Sequence, residues 1–114
     1  MVKGLTRWIL IGQTPFEVDT REWAAWFETH HADRIIAQED IPGHGWLSTV
    51  FLSLNHNWFE TGLPVLFETM LFPNKDDLRE MGQWRWRSYL EAQRGHEEIR
   101  DALLSGRPTP ESPA

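Results

Sequence analysis

Two histidines and a glutamate, His56, Glu68 and His96, stand among apolar residues, where a polar side chain is costly to hold without a partner. His56 closes the run Leu47-Ser-Thr-Val-Phe-Leu-Ser-Leu-Asn-His56, and Glu68 lies within Pro64-Val-Leu-Phe-Glu-Thr-Met-Leu-Phe72. His96 falls in the apolar stripe of the last helical segment, directly after Gly95. Two imidazoles and a carboxylate are a common divalent-metal set, and the same groups could move protons. Their spacing carries no diagnostic motif: there is no H-E-x-x-H, no H-x-H and no cysteine. A structural reading stands beside the chemical one, with His96 a buried neutral imidazole satisfied by a backbone carbonyl or by Glu68.

Other chemistry is poorly served. Ser48 and Ser53 sit within a strand pattern with no evident base or oxyanion site. Gly43-His-Gly45 is too short for a phosphate loop and opens no helix. The strip Trp84-Arg85-Trp86-Arg87 could stack on bases and pair phosphates, or make cation–π contacts within the fold. A net charge of −6 argues against a general affinity for nucleic acid and favours a basic partner surface.

The elements that must position these groups follow from periodicity. Thr6–Gly12 is predicted as a strand, turning at Gly12-Gln-Thr-Pro15 into a short return strand over Phe16–Val18. Asp19 and Glu22 open a helix, with Trp23, Trp26, Phe27 and His30 on one face. Arg34–Ile41 is a further strand, stopped by Pro42-Gly-His-Gly45. The long strand Trp46–His56 alternates, placing Val50, Leu52, Leu54 and His56 on one side and Thr49, Phe51, Ser53 and Asn55 on the other. A connection over residues 57–63, pivoting at Gly62, leads to the strand carrying Glu68. Gln83–Ser88 is predicted to put both tryptophans on one face and both arginines on the other.

Ser88 and Glu91 form a capping box for the last helix, whose stripe is Ala92, His96, Ile99 and Leu103. Gly95 within it costs about 1 kcal/mol of helix stability relative to alanine. A glycine there predicts the close approach of another element, with His96 turned toward the sheet. Gly106 ends the helix. Residues 107–114 are a proline-rich tail expected to lack fixed structure. The expected whole is a single α+β domain over residues 1–106, one antiparallel sheet of four to six strands with two helices packed on it.

Three separated motifs resemble a family of short bacteriophage and prophage proteins. They are Thr49-Val-Phe-Leu-Ser-Leu-Asn-His56, Pro64-Val-Leu-Phe-Glu-Thr-Met-Leu-Phe72 and Glu91-Ala-Gln-Arg-Gly-His96, within a resemblance that covers roughly residues 33 to 103. The resemblance implies a phage-related origin, assigns no activity, and highlights Thr49, His56, Phe67, Glu68, Thr69, Glu91, Gly95 and His96. The chain departs from the family pattern at Ser53, where glycine is usual, and at Asn55, where aspartate is usual. If that aspartate were a metal ligand, the neutral amide of Asn55 would weaken the site.

A chain of 114 residues suits one core. Without cysteine, a leader-like N-terminus or a membrane-length apolar run, it is expected in the cytoplasm, the host cell's if phage-encoded. Seven tryptophans make an interface, and a homodimer, reasonable. Two functions compete. The first is a non-enzymatic accessory protein that binds a host or phage macromolecule, such as a defence or regulatory complex, needs no cofactor, and uses Asn55 and the Trp84–Arg87 strip beside the polar cluster. The second is a small metal-dependent or acid–base enzyme, with His56, Glu68 and His96 as ligands of a divalent metal.

Overall fold

The computed structural model describes residues 5–56 and 63–114. Its strands are β1 (Arg7–Ile11), β2 (Thr14–Val18), β3 (Ile35–Ile41), β4 (Gly45–Phe51), β5 (Phe67–Phe72) and β6 (Gly82–Trp86). Its helices are α1 (Thr20–Thr29) and α2 (Tyr89–Ser105), with a short 3-10 turn at Ala32–Arg34. The fold is α+β. β3, β4, β5 and β6 form a four-stranded antiparallel meander, and β1 and β2 form a separate hairpin, two sheets where one was expected.

Register sets which residues share a face. Leu47 pairs with Leu71, Thr49 with Thr69, and Phe51 with Phe67. Phe67 in turn pairs with Trp86 and Thr69 with Trp84. Because side chains alternate, all of these point to one side of the meander, and α2 packs across that side against every strand of the meander. Leu47, Phe51, Phe67, Trp84, Trp86, Ala92 and Ile99 are part of the core. The opposite face carries Trp46, Ser48, Val50, Glu68, Met70, Gln83 and Arg85.

Both helix starts behave as their sequences predict. Asp19 accepts from the Glu22 amide at 2.8 Å, and Ser88 Oγ accepts from the Glu91 amide at 3.1 Å. The reciprocal arm of the second box lands one residue early, since Glu91 Oε1 takes the Arg87 amide at 2.9 Å. Gly106 closes α2 in the left-handed conformation at φ 71°. Gly95 has the predicted role: a Cβ there would overlap the indole ring of Trp86. The helix runs so close to β6 that only a hydrogen fits between them.

The long strand predicted over Trp46–His56 is interrupted. β4 ends at Phe51, and Ser53 adopts φ 62°, a conformation that favours glycine. Residues 53–55 leave the hairpin there and join β1. The Trp8 amide donates to the Ser53 carbonyl at 2.9 Å and the Asn55 amide to that of Thr6 at 3.0 Å. The ladder to the next strand resumes at the His56 amide, which donates to the Val65 carbonyl at 2.9 Å. This detour ties the two sheets together. The predicted connection over 57–63 lies almost wholly outside the described residues. Among the described residues, no helix is long and apolar enough to cross a membrane.

The tail, expected to lack fixed structure, instead lies along β6. Trp84 Nε1 donates to the Pro110 carbonyl at 2.8 Å, and the Arg85 amide to Ser112 Oγ at 2.7 Å.

Candidate functional site

Between α2 and the meander lies a continuous buried polar chain. Trp86 Nε1 donates to Thr69 Oγ1 at 3.0 Å. Thr69 Oγ1 lies 2.6 Å from Thr49 Oγ1, which lies 2.7 Å from His96 Nδ1. Thr49, Thr69 and His96 are all buried. The far side of the ring faces Glu39 of β3, with Nε2 3.5 Å from a carboxylate oxygen. That is longer than a charge-assisted hydrogen bond of about 2.7–2.9 Å, so the contact is mainly electrostatic. Arg100 reaches the same carboxylate at 3.9 Å.

Proton order follows from these partners. An indole N–H can only donate, so Thr69 accepts from Trp86 and can pass its own proton to Thr49. Thr49 then donates to Nδ1 of a neutral ring. The proton on Nε2 faces Glu39, where a lone pair would meet a carboxylate. Burial pushes the His96 pKa below its ordinary value, against the opposing pull of Glu39. These partners suit the neutral imidazole anticipated from sequence, with a threonine and Glu39 in place of a carbonyl or Glu68.

Glu68 belongs to the other side of the sheet. It follows from the pairing of Glu68 with Val50 and Arg85, one position out of step with Thr69. Its Oε2 accepts from Gln83 Nε2 at 2.6 Å and from Arg85 Nε at 3.0 Å. His56 is within electrostatic reach of this pair. Its pKa is lowered, first by burial, then by Arg85, with Glu68 opposing.

The proposed three-residue set is thus divided. His56 is within electrostatic reach of Glu68, while the sheet itself separates Glu68 from His96. Among the described residues, no group of three or more His, Asp or Glu side chains is placed to hold a metal ion together. Asn55 is occupied in the backbone: its Oδ1 accepts from the Val65 amide at 2.9 Å, filling a gap in the ladder left by the detour at Ser53. An aspartate would accept the same bond. Trp84 and Trp86 lie on the α2 side of the meander and are buried, the Trp84 indole N–H being taken by the Pro110 carbonyl of the tail. Arg85 lies on the opposite face as predicted. Arg87, just past the end of β6, donates to the Pro113 carbonyl at 2.9 Å.

Exposed apolar residues lie elsewhere, Leu63, Leu78, Met81, Leu90 and Leu104 among them, and two sit near the tip of the β1–β2 hairpin. Ile11 is 61% exposed and Phe16 47% exposed. Ile9 pairs with Phe16, so alternation puts Ile11 and Phe16 on the same face of the hairpin. Beside them opens a cleft of about 460 Å³ whose walls include Leu10, Trp26, Ile35 and Tyr89, with His30 and Asp33 as its charged or titratable groups. His30 caps α1, its ring stacked on Trp26 with centroids 5.4 Å apart. The periodic reading overlooked this surface, although bulky apolar residues flanking the turn Gly12-Gln-Thr-Pro15 were its visible signal. No protein-family model, curated protein or solved structure matches this chain significantly. The resemblance to the phage and prophage proteins rests on its three motifs.

Proposed function

We propose that this chain acts by binding a macromolecule, with the β1–β2 hairpin tip and the adjoining cleft as its contact surface. The observation that carries this reading is exposed Ile11, on one hairpin face with exposed Phe16, in the wall of a cleft shared with Leu10, Trp26, Ile35 and Tyr89. Exposed bulky apolar groups next to a concavity are the usual form of an interface anchor site. Most of the polar groups that suggested chemistry support the same reading, because they are engaged in holding the fold. Thr49 bonds Thr69 and His96 Nδ1, and Glu68 is held by Gln83 and Arg85. A net charge of −6 and Asp33 in the cleft favour a partner with a basic rim.

The three phage-like motifs point to a partner among the macromolecules of a host cell's cytoplasm, such as a defence or regulatory complex. Affinity capture from that cell, read by mass spectrometry, tests the reading with an Ile11→Asp, Phe16→Asp double variant. The native chain is expected to retain a partner that the folded double variant loses. Equal retention by both would sink the hairpin surface. Sedimentation of the native chain shows whether a second copy competes for the same face.

A further inference from the structure

The outer edge of β6 is occupied by a segment that cannot be a strand. Residues 108–113 read Pro-Thr-Pro-Glu-Ser-Pro, so half of them lack the amide proton a ladder needs. The tail runs in the same direction as β6, Pro110 beside Trp84, Ser112 beside Arg85 and Pro113 beside Arg87. Its bonds to the strand use carbonyls and one hydroxyl. The Trp84 indole donates to the Pro110 carbonyl at 2.8 Å, and Arg87 Nη1 donates to that of Pro113 at 2.9 Å. Ser112 Oγ accepts from the Arg85 amide at 2.7 Å, and its single proton has two acceptors in reach, the Ala114 carbonyl at 2.9 Å and the Arg85 carbonyl at 3.1 Å.

A tryptophan N–H and an arginine aimed at the carbonyls of an extended proline-rich chain make a known recognition mode for such chains. Proline already holds its backbone extended, so little freedom is lost on docking. The tail contacts at Arg85 and Arg87 are exposed to water, and only the one at Trp84 is partly buried. They are the kind of bonds that exchange readily for equivalent ones. A hollow lined by Glu98, Asp101, Ala102 and Arg107 remains between α2 and the tail.

We propose that the β6 edge centred on Trp84 is a docking site for an extended proline-rich segment of a partner protein, held in this chain by its own C-terminal tail. The site is separate from the hairpin tip, so either surface can fail without the other. The test uses the full chain with Pro108→Gly, Pro110→Gly and Ser112→Ala, which weakens the tail's hold, and follows the Trp84 indole N–H by NMR. The probe is a synthetic peptide of residues 107–114, with a control in which its prolines are alanine. The expected result is a shifted Trp84 signal that the native peptide returns to its original position in a saturable way and the control peptide does not. An unshifted signal, a shift that neither peptide reverses, or equal reversal by both peptides would overturn the proposal. Loss of the folded state would also overturn it, by making the tail part of the core. Tail exchange between copies, seen as a dimer in light scattering of the native chain, would replace the partner with a second copy.

Discussion

Thr69 and Glu68 are adjacent in one strand, yet they lead into opposite kinds of environment. Thr69 enters the chain Trp86–Thr69–Thr49–His96, closed off by α2, where no water competes for its bonds. Glu68, although buried, works with Arg85, whose side chain is about one-third exposed, and with the exposed Gln83. Polar groups in the first setting are expensive to orphan; in the second, solvent can replace a lost partner. Similar residue types therefore carry different weights on the two faces.

Removing His96 should show the difference most strongly. His96→Ala leaves a cavity and strands the Thr49 hydroxyl, an expected loss of about 3 kcal/mol by urea unfolding. A loss below about 1 kcal/mol would mean that the helix side is no more demanding than the open one. Gly95→Ala should cost about 2 kcal/mol, because the clash with Trp86 outweighs the helix propensity gained. A stabilised variant would show that the α2–β6 contact can relax.

Ser53→Gly at the junction of the two sheets should stabilise by about 1 kcal/mol, relieving a left-handed serine despite glycine's extra freedom when unfolded. Ser53 Oγ is also buried without a hydrogen-bond partner, so the substitution removes an unsatisfied group as well. An unchanged or lowered melting temperature would contradict this account of the detour. On the open face, Glu68→Gln should cost less than about 1 kcal/mol, since Arg85 is accessible to water and the amide can still accept. A larger loss would erase the contrast between the faces.

The pH response compares the two histidines directly. Both His96 and His56 have folded pKa values lowered from 6.5, each chiefly by burial. Below that value the unfolded chain binds more protons than the folded one, so stability should decline as pH falls from about 6.5 toward the folded pKa values. His96→Gln should leave a shallower decline over that window, with His56 supplying the remainder. An unaltered slope would assign the whole response to other groups.

Much of the fold was legible because its signals are local. Asp19 and Ser88 were readable as caps, since a cap needs only the residue three positions on. Alternation in β6 correctly separated Trp84 and Trp86 from Arg85, and Gly95 announced a close neighbour before that neighbour was known. The partners of His96 were not legible. Thr49 is 47 positions away, and Glu39 comes from a strand with no sequence relation to the helix. Nor was the break at Ser53, because serine itself carries no signal for a positive φ and the alternation of residue types runs on past it. The tail's contacts were hidden for a related reason: composition reports whether a segment can build its own core, and this one lies along the edge of another strand.

Sequence alone determined the period of the elements, the capped ends of both helices, and that His96 faces inward, because caps and amphipathic stripes are properties of a few consecutive residues. Only the tertiary structure decided that Glu68 lies on one side of the sheet, within electrostatic reach of His56, while His96 serves the other. That outcome depends on strand register and on which face α2 covers. Shifting the pairing by one residue would reverse every side chain in a strand, and no local pattern records which pairing is made.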